Sequence, residues 1–327
     1  MTETPTEEPR TVSDRERTTA SVPRTMWAVR LQTPGGPENL VVERVPTPQL
    51  QAGQALVRVH AAAITRDELD WPTDRLPAIP SYELSGVVAA VAADVDPPSM
   101  GEPVYALLDF DRDGAAAEYV AVAATRLAPK PRTLDHVESA AVPLAALSAW
   151  QGLFDRGALA EGQRVLIHGA AGGVGHFATQ LARRAGAHVI GTASRGNVAR
   201  ARSLGAHEVV DYYESRFDEV LDPVDLVFDT VGGDLLRRSP AVLRPGGRLV
   251  SVAEEPPEPS RESEIEATYF VVEPNRDQLV EIGALVDTGD LRPSIDSVFP
   301  LADATAAFAR NEAAAKHGKV VLRVSDD

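Results

Sequence analysis

The stretch Arg164 to Ala185, RVLIHGAAGGVGHFATQLARRA, decides the fold. Val165, Leu166 and Ile167 form a short apolar run of the kind that fills a parallel strand buried on both faces. Gly169, Ala170, Ala171, Gly172, Gly173, Val174 and Gly175 follow at once, and Val174, Ala178, Leu181, Ala182 and Ala185 then recur at helical spacing. A strand, a glycine turn and a helix in that order is the setting in which a G-x-G-x-x-G pattern carries meaning. Gly172 has no β-carbon, so a diphosphate can approach the backbone closely, and Gly175 lets the helix pack tightly on its strand. Free N–H groups at the helix start, reached through Ala171, Gly172, Gly173 and Val174, meet the phosphates with the favourable end of the helix dipole. Ala170 stands where the strictest pattern has its first glycine. The turn predicts a dinucleotide site; the alternative is a glycine-rich turn that binds nothing.

The next strand, His188 to Thr192, is where an acid would hold the ribose 2′-hydroxyl of NAD, and none is there. The strand runs instead into Ser194, Arg195, Gly196 and Asn197, with no carboxylate before Glu208. Arg195 offers a planar, charge-assisted fork to a 2′-phosphate, with Ser194 and Asn197 as further donors. NADPH is therefore expected over NADH, against the alternative of an ordinary surface arginine.

Composition sets the outer bounds. The 327 residues are 44% hydrophobic, enough for two domains with sizeable cores. Acidic residues number 48 against 32 basic, a net charge of −16 that argues against nucleic acid or an anionic membrane surface as main partner. No apolar run reaches bilayer length and no hydrophobic signal region opens the chain, so a cytoplasmic protein is expected. Cysteine is absent, which removes disulfides, thiolate nucleophiles and cysteine-ligated zinc.

Residues 1–24 are polar and read as a disordered tail. From Trp27 to about Pro131 the pattern is short β runs punctuated by Gly and Pro: Trp27 to Leu31, Leu40 to Val45, Ala55 to Ala63, Glu83 to Val91, Val104 to Leu108 and Ala117 to Val122. Their spacing suggests a compact barrel. Asp135 to Phe154 reads as one helix linking this barrel to the glycine turn. Further strands are expected at Val189–Gly191, Val209–Asp211, Leu226–Asp229 and Arg248–Val252. The helices between them close on glycine, one at Val242 to Gly247, and the whole reads as a doubly wound fold. Glu254 to Ser263 is an expected exposed loop, Thr268 to Val272 a strand, Asn275 to Thr288 a helix, and Ala302 to Val324 a helix followed by a strand that returns to the first domain.

Laid out in this order, the chain resembles the medium-chain dehydrogenase/reductase superfamily in its zinc-independent, quinone oxidoreductase-like branch. The matching pieces are Ala61 to Ile64, Pro80 to Val88, Asp113 to Val120, Ala170 to Gly175, Ser203 to Ala206, Asp229 to Gly233 and His317 to Val321. The resemblance implies a GroES-like barrel over residues 25–140, completed by 285–327, and a Rossmann domain over 141–284. It implies a homodimer joined through the sheet edge at Thr268 to Val272. It also implies that Tyr212 lies near the adenine or 2′-phosphate, with a packing role as the alternative, and that Val231, Val252, Phe270 and Lys319 lie against the cofactor. Phe110 and Phe270 line the cleft or belong to the core; Lys319 has a surface lysine as its alternative; His168 is expected to be structural.

Zinc-dependent relatives place Cys where Thr65 stands, and Gly-His-Glu where Ser81, Tyr82 and Glu83 stand. Neither Thr65 nor Tyr82 is a usual zinc ligand, so no metal is expected. Close quinone-reductase relatives carry Asn-Pro-x-Asp where this chain has Thr65, Arg66, Asp67 and Glu68, so the substrate-facing Asn amide is lost. Glu68 aligns with the Asp or pairs structurally with a neighbour such as Arg66. The expected reaction is hydride transfer from NADPH to a quinone or α,β-unsaturated carbonyl, with the Thr65 or Tyr82 hydroxyl steadying the acceptor oxygen. Tyr82 has packing with a locally satisfied hydroxyl as its alternative. A tailoring enzyme of secondary metabolism and a non-catalytic NADPH-binding sensor are the competing readings.

Overall fold

The computed structural model describes residues 22–71, 74–258, 264–313 and 317–325. The tail expected over residues 1–24 lies almost wholly outside them, as does the end of the loop expected over Glu254 to Ser263.

Alternating apolar residues make the first half a set of strands. β1 (Thr25–Leu31) buries Met26, Ala28 and Leu31 and pairs antiparallel with β2 (Leu40–Pro46). β3 (Gln54–Ile64) is the long central strand, followed by β4 (Glu83–Val91), β5 (Pro103–Leu107), β6 (Tyr119–Ala123) and the two-residue β7 (Ala128–Pro129). β3 pairs antiparallel with both β4 and β6, and its residues Ala55 to Ile64 are nearly all buried.

The single helix expected over Asp135 to Phe154 is three pieces. α1 (His136–Ala140) opens on a reciprocal cap: Glu138 N–H donates to the Asp135 side chain at 2.7 Å, and Asp135 N–H donates to the Glu138 carboxylate at 3.1 Å. Pro143 then breaks the run, having no N–H for the carbonyl of Ser139, and starts α2 (Pro143–Trp150) as its first residue. α2 widens into a π-helical turn over Gln151–Arg156, where Gly152 lies so close to the Phe228 ring that a β-carbon would sit 2.3 Å from it.

The glycine turn opens a parallel sheet. Its chain order is β8 (Arg164–His168), α3 (Gly175–Arg184), β9 (His188–Ala193), α4 (Val198–Ser203), β10 (Glu208–Asp211), α5 (Phe217–Val220), β11 (Val224–Asp229), α6 (Gly233–Arg238), β12 (Leu243–Ser251) and β13 (Glu266–Tyr269). Among the described residues the strands lie in the order β10-β9-β8-β11-β12-β13, all parallel. The chain winds outward from β8 to one edge and then from β11 to the other, so the crevice for a ligand falls at the carboxyl ends of β8 and β11. Two local expectations are corrected. Val242 to Gly247 is not a helix end: Ser239–Val242 is a short 3-10 turn, and Leu243 already pairs with Val224 as strand. The register shifts between Val224 and Leu226, which lets Pro245, Gly246 and Gly247 bulge within β12. The edge strand expected over Thr268 to Val272 ends at Tyr269, so Phe270 follows it rather than lying within it.

α7 (Arg276–Asp287), capped by Asn275, leads to β14 (Ile295–Pro300), α8 (Ala304–Glu312) and β15 (Lys319–Arg323). β14 was not among the expected strands. β15 runs antiparallel to β3, with Val320 opposite Ile64, and parallel to β14. The last strand thus belongs to the sheet of the first domain, while one continuous apolar core joins Val57, Leu84 and Leu107 to Ala146, Ile167 and Phe228.

Candidate active site

The turn after β8 is shaped by close approaches. Gly169 has a φ of +70°, and a β-carbon on Gly175 would lie 2.0 Å from the Gly169 carbonyl oxygen. Helix α3 therefore sits directly on the turn, with His176 N–H donating to Gly172 O at 3.0 Å. Above Gly173 the space is open, its nearest neighbour being the Lys319 side chain, 4.0 Å from an added β-carbon. The alanine in place of the first glycine is accommodated from the neighbouring strand: a β-carbon on Gly191 would come within 2.5 Å of Ala170 Cβ. Gly191 is a position that motif reading missed. His168 is structural as expected, buried between Thr192 Oγ1 at 3.2 Å and Ser239 Oγ at 2.9 Å, and burial pushes its pKa down to about 3.

At the end of β11 the buried Asp229 carboxylate accepts from Gly232 N–H at 2.9 Å and Ser251 Oγ at 3.0 Å, and burial raises its pKa. Thr230 Oγ1 donates to His168 O at 2.7 Å, tying this loop to the glycine turn. Val231 stands exposed on the loop and Val252 is half-buried, its N–H donating to Asp229 O. The Phe270 side chain takes the second of its two expected placements, buried in the main core beneath the Arg156 guanidinium.

Beyond β9, Asn197 donates to Ser194 Oγ at 3.1 Å, while Asn197 Oδ1 is buried without a hydrogen-bond partner among the described residues. Such an orphaned acceptor suits a ribose hydroxyl. Arg195 is exposed and reaches two acids that linear reading did not connect with it, Asp211 at 3.7 Å and Glu214 in closer contact. Tyr212 packs at a tilt against Tyr213, with ring centroids 4.7 Å apart, beside Ser194. The open backbone at Gly173, the amides at the start of α3 and this orphaned carbonyl together fit a dinucleotide.

Across the crevice the ends of three adjacent barrel strands meet. Lys319 opens β15, Thr65 directly follows β3 and Glu83 opens β4. Lys319 Nζ donates to Thr65 Oγ1 at 3.0 Å and is ion-paired with Glu83. Thr65 Oγ1 donates in turn to Glu83 Oε1 at 3.3 Å, and the other Glu83 oxygen accepts from Leu144 N–H at 2.9 Å. Lys319 is only 5% exposed, so the surface-lysine alternative fails. Glu68 is buried beside the group, accepting from Thr65 N–H at 3.0 Å and facing Ser81 Oγ at 3.5 Å. Burial, against the pull of the Thr65 N–H and Lys319, pushes its pKa up to about 8. The structure brings Thr65 and Lys319 together but turns Tyr82 elsewhere. Its hydroxyl accepts from Arg75 at 2.9 Å, and its ring packs on Trp71 and Phe110 at 5.6 and 5.4 Å. Tyr82 is thus a packed aromatic whose hydroxyl oxygen accepts from Arg75.

Residues 51–132 match the alcohol dehydrogenase GroES-like domain, and residues 204–322 match a zinc-binding dehydrogenase domain. A probable zinc-binding mitochondrial oxidoreductase of Arthroderma benhamiae is 33% identical over 93% of this chain and 98% of its own length. The chain belongs to the medium-chain dehydrogenase/reductase superfamily. Another relative in this superfamily is the chloroplastic NADPH-dependent alkenal/one oxidoreductase of Arabidopsis thaliana, 32% identical over 93% of this chain and 81% of its own. The quinone oxidoreductase structure from Coxiella burnetii superposes with a TM-score of 0.85 at 32% identity, covering 92% of this chain and all of that one. As a member of this superfamily the protein is an oxidoreductase that uses a nicotinamide cofactor. The zinc in some relatives' names does not fit the residues here. Among the described residues no three His, Cys, Asp or Glu side chains gather to hold a metal, and the carboxylate at this place, Glu83, is taken by the Lys319 ammonium.

Proposed function

We propose that this protein is an NADPH-dependent, zinc-independent reductase of quinones or α,β-unsaturated carbonyl compounds. The observation that carries the reading is the Thr65 hydroxyl, held by the buried Lys319 ammonium at the point where the barrel rim meets the glycine turn. A reduced nicotinamide supplies the hydride when bound. The amides of the turn and α3 bind the diphosphate, Asn197 and Ser194 orient the adenosine ribose, and Arg195 pairs with the 2′-phosphate. Lys319 keeps the Thr65 hydroxyl in place as donor to the oxygen on which negative charge develops. The names of the alkenal/one and quinone oxidoreductase relatives support the acceptor class. In this reading the protein is a cytoplasmic homodimer paired through the β13 edge. The test is NADPH oxidation over a panel of enones and quinones, with and without a zinc chelator. Turnover indifferent to the chelator is expected, and activity abolished by chelation and restored by zinc overturns the zinc-free reading. Arg195→Ala should weaken NADPH far more than NADH; equal losses would remove the phosphate assignment.

A further inference from the structure

We propose that Lys319 and Glu83 form a buried proton-supply pair, with the Thr65 hydroxyl as the group that hands the proton to the acceptor; this rests on the reductase reading above. The arrangement follows from strand order. β15, β3 and β4 are neighbours in one sheet, with Val320 opposite Ile64 and Glu83 opposite Ala63. Their rim residues Lys319, Thr65 and Glu83 therefore converge without any long loop. An ammonium and a carboxylate buried together are costly unless each is fully engaged, and here each is held from two sides. The ammonium meets Glu83 and Thr65; the carboxylate meets Lys319 and the Leu144 N–H.

The weak member is the Thr65 to Glu83 hydrogen bond, at 3.3 Å. A hydroxyl that accepts firmly from a cation and donates loosely to an anion can turn its proton toward a new oxygen. The other titratable group at this rim is Glu68, which is neutral below about pH 8 and so leaves Glu83 as the carboxylate paired with the ammonium. The Tyr82 hydroxyl faces Arg75 instead and makes no hydrogen bond to Thr65, Lys319 or Glu83 among the described residues.

With an enone, hydride adds to the β-carbon, the C=C pair shifts, and the carbonyl oxygen gains the negative charge of an enolate. That oxygen takes the Thr65 Oγ1 proton, and Thr65 Oγ1 takes one from Lys319 Nζ. The neutral amine is reprotonated by water, and the enol becomes the saturated ketone in solvent. One hydride and one proton are consumed, and the nicotinamide is oxidised by two electrons. Thr65 is the catalytic donor, Lys319 replenishes its proton, and Glu83 acts through the ammonium as a positioning residue.

The test compares an enone, whose enolate is strongly basic, with a tetrahalogenated benzoquinone, whose reduced anion needs no proton. Thr65→Val and Lys319→Met should lower kcat on the enone by roughly 100-fold, in the range of a lost general acid. On the quinone, where the hydroxyl steadies the oxygen but gives up no proton, the loss should be at least about tenfold smaller than on the enone, with Thr65→Ser restoring enone turnover. NADPH affinity, read by fluorescence titration, should be unchanged in both Thr65 variants. In the protein without cofactor, Thr65→Val should speed water exchange of the Lys319 ammonium protons seen by NMR. Equal losses on both acceptors, or Thr65→Ser as inactive as Thr65→Val, would overturn the proton route while leaving the reductase reading standing. No turnover of either acceptor by the unaltered protein would overturn both. Should Lys319→Met not fold, the Val and Ser pair at Thr65 still decides the matter.

Discussion

Glu68 is a carboxyl group whose surroundings favour its neutral form, and that has a thermodynamic sign. Its native pKa of about 8 exceeds the ordinary 4.5, so its contribution to stability is fully present below about pH 4.5 and is lost as pH rises through about 8. Glu68→Gln removes this dependence. The difference in melting temperature, variant minus wild type, should rise steadily from pH 5 to pH 8 and flatten beyond; a difference independent of pH would contradict the assignment. At Arg195 the 2′-phosphate of the proposed function would have to compete with Glu214 for the guanidinium. Glu214→Gln should tighten NADPH by roughly two- to fivefold and leave NADH unchanged, since an exposed ion pair is worth at most about 1 kcal/mol; fluorescence titration with both nucleotides decides it. Glu214 also marks the limit of linear reading. Lys319 could be singled out, as a residue expected against the cofactor, because it sits in the matching run His317 to Val321. Glu214 could not, because only the return of the chain after β10 brings it to a side chain nineteen residues earlier.

Helices were harder to read than strands, for a reason visible at Pro143 and Gly152. The apolar positions of Asp135 to Phe154 share one face, yet the missing N–H of Pro143 ends one helix and starts another. The π turn that follows is set by tertiary contact, since Gln151 bridges to Glu273 and Gln278 and Gly152 lies against Phe228. Gly152→Ala should cost about 1–3 kcal/mol, the usual range for overpacking a filled core, as read by urea unfolding. A loss below about 0.5 kcal/mol would mean that the Phe228 ring yields freely. β12 escaped for a related reason. Leu243-Arg244-Pro245-Gly246-Gly247 has the residues that end a helix, but a bulge in a strand asks for the same ones. β14 was missed because only partial burial, not a clean apolar alternation, marks Ile295–Pro300.

Over the whole molecule, β15 returns the end of the chain to β3 of the first domain's sheet, and β15 is itself fastened by Asp296. That carboxylate takes two hydrogen bonds from Arg310 of α8, at 2.7 and 2.8 Å, and one from His317 N–H at 2.9 Å just before β15. The Arg310 hydrogen bonds pull its pKa from 3.8 to about 2, so its contribution is present above about 3.8 and is lost as pH falls through about 2. Asp296→Asn should therefore destabilise the protein at neutral pH by about 2 kcal/mol, the scale of hydrogen bonds to a charged group. The deficit should vanish in strong acid, and hydrogen exchange in β15 should quicken; unchanged β15 protection would show that the strand is held by its ladder alone. The placement of Lys319 on the final barrel strand, rather than on the nucleotide sheet, bears on engineering. On the proposed roles, a chimera that exchanges only the parallel sheet between relatives should carry the choice of nucleotide, assigned to the segment from Ser194 to Glu214, into a host that retains its own proton delivery. Coenzyme preference and acceptor chemistry should then prove separately portable.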